Sequence, residues 1–282
     1  MYLTQKQAKV SKKAGFTFTD LITLVAVVTV VLVLIIPAMA RTKVNSPAAV
    51  CLNNMRQLSS AWMMYSAENN GGLVWSYPGV GTPAPSAWCA GNAAASNPDS
   101  AGSYFYQASD PAGLITGRLW PYVKSLSTYK CGADRRVTTA GGIVKPVLRS
   151  YSMNSYMAGR SYGDPSGSSY VVTDSGAQTT VFRVYLKENE IRYPAKTFVF
   201  LDEDAASIND SMFLVDMGTG LGLVDLPGRQ HDSGYGINFA DGHASIFKLL
   251  TPEARNWVPG SPLPHTNADY LNLTNMATAP QL

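Results

Sequence analysis

The sequence is poor in the residues that carry chemistry. Its 282 residues hold only three cysteines, Cys51, Cys89 and Cys131, too scattered for a zinc set, whose ligands recur in closely spaced pairs. In an exported chain they leave room for one disulfide and one unpaired thiol. The three histidines, His231, His243 and His265, lack a spacing that places two on one helix face. A structural hydrogen bond or an exposed position is expected for each, not a metal or base role. Neither GxGxxG nor a P-loop lysine occurs, and GTGLG at 218–222 reads as a turn between strands. No Ser-His-Asp arrangement can be argued from spacing, so no enzyme is expected. Net charge is +3, and Lys6, Lys9, Lys12 and Lys13 at the N-terminus account for it. The remainder is near neutral, which excludes a basic stripe for nucleic acid.

What the chain does have is one long apolar run. No charge lies between Leu21 and Ala40, and as a helix this run would span roughly 30 Å, one hydrocarbon core. The lysines before it predict a cytoplasmic N-terminus and an external remainder. Three readings compete. A secretory signal would be cut at Ala38-Met39-Ala40, but the apolar stretch is too long for one. A plain signal anchor explains the length. Neither explains Asp20 at the mouth of the run, where a carboxylate in lipid costs up to about 2.5 to 3.5 kcal/mol near a helix centre and less at its edge.

The third reading rests on KKAGFTFTD, residues 12–20. It resembles the processing site of type IV prepilins and type II secretion pseudopilins: a basic leader, Gly15 before the cut, Phe16 as first mature residue, and an acid, Asp20, at the fifth mature position. The resemblance implies cleavage and N-methylation by a prepilin peptidase at the cytoplasmic face. It also implies pairing of Asp20 with the N-terminal amine of a neighbouring subunit, and a helix-kinking proline at Pro37.

Beyond the run, Ser46-Pro47 reads as a helix start and Asn70-Gly71-Gly72 as its end. Between them Cys51, Met55, Leu58, Trp62 and Tyr65 recur at intervals of four and three, the stripe of an amphipathic helix laid on a sheet. Residues 72–117 are rich in Gly, Pro, Ala and Ser, with Trp75, Tyr77, Trp88, Tyr104, Phe105 and Tyr106 as expected loop anchors. Strands are predicted at 181–186, 197–201 and 212–215. Asp241-Gly242 suits a two-residue type I′ hairpin turn. That turn sets Ala240 opposite His243, Asn238 opposite Ser245, Phe239 opposite Ala244 and Ile237 opposite Ile246, with the apolar face of Ile237 and Phe239 on the helix.

His231, nine residues, then Asp241-Gly242 matches the H-x9-DG signature of a prepilin-type family with large heads. Residues 51–71 and YKCGAD at 129–134 also look like segments of that family. The resemblance implies an α+β, pilin-like fold in which a long N-terminal helix, membrane half plus amphipathic half, packs on an antiparallel sheet. Its parts would be a leader at 1–15, a transmembrane helix at 16–45, an amphipathic helix at 46–71, and a loop-rich head at 72–282 that includes the 231–250 hairpin. It further implies a subunit of a type IV pilus or type II secretion filament at a bacterial inner membrane, head outward, with the prepilin peptidase and other pilin-like subunits as partners. The alternative is a signal-anchored envelope binding protein or hydrolase. Cys51 and Cys131 lie in the two family-like patches, so a bridge is expected to join them. Asp202-Glu203-Asp204, with Asn209, Asp210 and Asp216, offers oxygen ligands for calcium, which some major pseudopilins bind in their C-terminal loops. The spacing matches no EF-hand, so a solvated acidic loop is favoured over a calcium site at Asp202, Asp204 and Asp210. No other cofactor is expected.

Overall fold

The computed structural model describes residues 15–44, 46–77, 87–93, 106, 108–140, 142–158, 169–173, 179–217, 223–258, 261 and 263–278, with side chains omitted at 34–44, 140, 169–173 and 179–181. The chain divides into two compact units, Met1–Asn45 and Ser46–Leu282.

Among the described residues of the first unit there is one helix, α1 (Phe18–Val44). Its start is a reciprocal cap. The Thr17 backbone N–H donates to Asp20 Oδ2 at 2.8 Å, and the Asp20 N–H donates back to Thr17 Oγ1 at 3.3 Å. Each side chain thus satisfies an orphan donor of the first turn, and the carboxylate sits at the positive end of the helix dipole. Of the expected N-terminal residues, Gly15, Phe16 and Asp20 are exposed, the leader at 1–14 lies outside the described residues, and Pro37 falls where side chains are not described.

The expected long N-terminal helix requires correction. Its two halves are separate helices, α1 and α2 (Pro47–Glu68). Ser46 is extended (φ −64°, ψ 146°), and its hydroxyl caps α2 by accepting from the Ala49 N–H at 3.2 Å. Proline disfavours helical geometry in the residue before it and brings no N–H of its own, so Ser46-Pro47 starts a new helix where a continuous one would need helical backbone. Among the described residues no helix is long and apolar enough to cross a membrane, the described stretch of α1 with side chains being 16 residues, 18–33.

In the second unit follow α3 (Ala112–Ile115), α4 (Trp120–Val123), β1 (Val137–Ala140), β2 (Ile143–Pro146), β3 (Tyr151–Asn154), β4 (Ser169–Thr173), β5 (Thr179–Arg183), β6 (Phe198–Asp202), β7 (Met212–Phe213), β8 (Gly234–Phe239), β9 (Ala244–Lys248), α5 (Pro252–Arg255) and α6 (Ala268–Ala277). The pairs β1-β2 and β4-β5 are separate two-stranded ribbons, and the main sheet has the order β7-β3-β6-β8-β9. It is mixed, not purely antiparallel, because β7 joins β3 in parallel.

The sheet carries a core on each face. Met55, Leu58 and Trp62 of α2 pack with Tyr151, Met153, Val199 and Phe200. On the other side Phe198, Leu201, Ile237 and Phe239 pack with Tyr270 and Leu273 of α6. Central β6, FVFLD, is buried throughout, as a continuous apolar run between two layers requires. A register shift between Phe198 and Phe200 sends these two phenylalanines to opposite cores, which regular alternation would forbid.

The hairpin exists, but one residue out of the expected register. Asn238 lies opposite Ala244, Ile237 opposite Ser245 and Gly236 opposite Ile246. The loop has three residues, closed by Phe239 N–H to His243 O and Gly242 N–H to Phe239 O, both at 2.9 Å. A type I′ turn needs positive φ at both Asp241 and Gly242; here Gly242 alone has it, at 93°. The longer loop spares the aspartate that strain. The one-residue slip divides the expected apolar set between the two faces: Ala244 packs on the α2 side, whereas Ile237 and Phe239 lie away from α2, which receives Gly236, Asn238 and Ala240.

Candidate metal centre

Four buried side chains from distant parts of the chain meet beneath the start of α2. Cys51 comes from its second turn, Cys131 from the segment after a 3-10 turn at Leu126–Tyr129, Asp202 from the end of β6, and His231 from the turn before β8. Their ligand atoms all lie within 4.8 Å of one another. Cys51 Sγ donates to Asp202 Oδ2 at 3.2 Å. His231 Nε2 lies 3.3 Å from the same oxygen and 3.2 Å from Cys131 Sγ. This group can hold a metal ion.

Local structure positions each member. The Cys131 N–H donates to Ser150 Oγ, whose hydroxyl in turn donates to Asp134, itself bridged to Arg136. His231 precedes two residues in left-handed conformation, Asp232 (φ 55°) and Ser233 (φ 53°). Lys248 of β9 holds that turn by donating to the His231 carbonyl at 2.7 Å and to Asp232. Gly236 lets β8 approach α2: a Cβ there would lie 2.7 Å from Cys51 Sγ and 2.9 Å from the Met55 sulfur. Asp202 Oδ2 also accepts the Gly236 N–H at 3.0 Å, while its Oδ1 is buried without a hydrogen-bond partner.

Electrostatics polarise the cluster. Hydrogen bonding from Cys51 and then from His231 outweighs burial and holds the Cys131 thiol down to about 7. Asp202 first and Cys131 second stabilise the charged imidazole, which raises His231 to about 9. Cys51 is pushed far up, first by its interaction with Cys131 and then by burial. These shifts run in the directions that favour a thiolate at Cys131 beside an imidazolium at His231.

Several expected roles change. Cys51 and Cys131 are brought together as expected for the bridge, yet all three cysteines are free. Cys89 lies apart, and burial pushes its thiol up to about 12. Asp202, Asp204 and Asp210 form no shared oxygen site: Asp202 joins the thiols, Asp204 is bridged to Arg229 at 2.8 Å, and Asp210 is buried beside Arg149. They are not a solvated loop either. Burial raises the carboxyls of Glu203 and Asp225 well above the usual range, and that of Asp210 to about 6.

Among the histidines, His243 is exposed, stacked on Phe239 and paired with Asp241 at 2.6 Å, while His265 is exposed near Asp216. The H-x9-DG pattern thus joins two different jobs, His231 at one end of β8 and the hairpin loop at the other. Trp88 is a core residue, while Tyr104, Phe105 and GTGLG lie outside the described residues. Sequence reasoning missed the convergence of Cys51, Cys131, Asp202 and His231, whose separations carry no short-spaced ligand signal. It also missed the Thr17-x-x-Asp20 cap, for which the capping-box pattern was a legible sign. No protein-family model, curated protein or solved structure matches the chain.

Proposed function

We propose that the chain is a structural subunit of a type IV pilus or type II secretion filament, cut by a prepilin peptidase between Gly15 and Phe16 and assembled through α1. One observation carries this reading. The described apolar side chains between residues 16 and 33 are uncovered: Phe16 is 71% and Phe18 75% exposed, and Leu21, Ile22, Leu24, Val25, Val27 and Val28 are exposed with them. An apolar surface of that extent needs cover, and packing against the same helix of neighbouring subunits would supply it. The subunit works by packing, with the second unit displayed outward from the bacterial inner membrane. The reading rests on the covering of α1 by neighbours, not on a membrane span within the described residues.

Asp20 has two roles to separate. It caps its own helix, and in the assembled state its carboxylate pairs with the free amine of Phe16 on a neighbour, an amine largely protonated at neutral pH. Asp20→Asn keeps an acceptor oxygen for the cap and removes the charge, whereas Asp20→Glu keeps both. Sequencing the mature N-terminus is expected to give methylated Phe16. A start at Arg41 or an intact Met1 would instead support the envelope-anchored binding protein or hydrolase. In sheared filament fractions Asp20→Glu is expected to persist and Asp20→Asn to be lost, although cleaved normally. Undiminished Asp20→Asn in those fractions would reduce the aspartate to a helix cap.

The hydrolase alternative has one local argument in its favour, the Cys131-His231-Asp202 contact. Against it, Cys131 is 1% and Asp202 0% exposed, and both meet the same ring nitrogen of His231. A base that relays a proton needs its two nitrogens divided between nucleophile and orienting carboxylate.

A further inference from the structure

We propose that Cys51, Cys131, Asp202 and His231 close around a single zinc ion, which clamps α2 to the central sheet. The inference is independent of filament membership.

The donor set selects the ion. Two sulfurs, one imidazole nitrogen and one carboxylate oxygen suit zinc, whereas calcium takes six to eight oxygens and magnesium an octahedron of them. The spacing agrees. A tetrahedral ion with ligand bonds of about 2.0 to 2.3 Å places neighbouring ligand atoms roughly 3.3 to 3.8 Å apart. The contacts Cys51 Sγ to Asp202 Oδ2, Asp202 Oδ2 to His231 Nε2, and His231 Nε2 to Cys131 Sγ are 3.2, 3.3 and 3.2 Å. These three contacts need to lengthen by only a few tenths of an ångström to match, and the remaining ligand pairs lie within 4.8 Å.

The surroundings are those of a closed structural site. Asp202 Oδ1 is a buried acceptor without a partner, an exception to the rule that buried polar atoms are satisfied. Outer donors already aim at the ligand atoms: the Ala133 N–H at Cys131 Sγ (3.4 Å), the Tyr151 hydroxyl at Cys51 Sγ (3.6 Å) and the Gly236 N–H at Asp202 Oδ2 (3.0 Å). Such groups orient ligands and temper their charge. With two thiolates and one carboxylate, the divalent ion leaves a net charge of −1. Bringing the cluster to two thiolates and a neutral imidazole releases two protons to solvent, so both bonds to sulfur form without any redox change. Because the ligands belong to four distant segments, one ion closes three long loops at once.

The test uses the full chain purified in detergent without added chelator. About one zinc per chain is expected by elemental analysis. Cys51 and Cys131 are expected to resist alkylation until a chelator is added, and the melting temperature to fall when the metal is removed. Cobalt(II) exchanged into the site should show sulfur-to-metal charge transfer and the intense visible bands of tetrahedral geometry. Cys131→Ser and His231→Ala should lose the metal while Cys89→Ser keeps it. Should those two variants fail to fold, Tyr151→Phe is the gentler probe, with metal affinity expected to fall about tenfold. The proposal is overturned by a Cys51–Cys131 disulfide in metal-free chain, by alkylation of Cys51 and Cys131 that is indifferent to chelator, or by cobalt binding without the sulfur band.

Discussion

Gly236 shows how much one missing side chain can decide. Asn238, two residues along the same face of β8, donates through Nδ2 to the Met55 carbonyl of α2 and accepts the Phe200 N–H of β6, so helix and strands are locked at a fixed separation. Within that separation there is no room for a methyl group at 236, only 2.7 Å from Cys51 Sγ. Gly236→Ala is expected to cost about 1 to 3 kcal/mol, the usual penalty of overpacking a tight core, and to displace Cys51 from the other three ligands. Denaturant unfolding measures the first effect and cysteine alkylation the second. An unchanged midpoint would mean that α2 shifts freely, against the Asn238 lock.

At the scale of elements, the decisive feature is the boundary between α1 and α2. An apolar run followed by a second helical stripe reads as one long rod until Ser46-Pro47 is weighed. The Ser46 hydroxyl accepts from the Ala49 N–H, and no acidic residue in the first turn of α2 shares the task. Ser46→Ala is therefore expected to destabilise the second unit by about 0.5 to 2 kcal/mol, read as a lower melting temperature and faster amide exchange over the first turn of α2. That turn leads directly into Cys51, so fraying there should loosen the cysteine cluster before it affects α6.

For the whole molecule, buried acids set the response to pH. Asp210 is raised to about 6 chiefly by burial, against which the Met212 N–H and Arg149 pull it down. A raised carboxyl adds stability that is full below its unfolded pKa, about 4, and is lost as pH rises through the folded value. Asp210→Asn keeps an acceptor for the Met212 N–H and cannot ionise. Its stability relative to the wild type is expected to climb between about pH 4 and pH 7, by at most about 3 kcal/mol. Paired melting curves across that range check it, and a constant difference would mean that Asp210 does not titrate there. Glu203 and Asp225, also raised, act in the same sense.

Local chemistry was legible in the sequence wherever neighbours along the chain carry it. The Ser46-Pro47 helix start, the Cys51-Met55-Leu58-Trp62 stripe and a hairpin at Asp241-Gly242 all follow from rules acting over a few residues. Where two local solutions differ little in energy, the surroundings chose. A three-residue loop with positive φ at Gly242 alone replaced the two-residue turn, and that slip parted Ala244 from Ile237 and Phe239, which lie on the α6 side. Most remote from the sequence is the cluster of Cys51, Cys131, Asp202 and His231, because no spacing rule connects residues brought together only by packing α2 across β6 and β8. Composition correctly counted the cysteines as few and scattered along the chain. Folding placed two of them beside a carboxylate and an imidazole, and proximity in space, not in sequence, is what a metal ion requires.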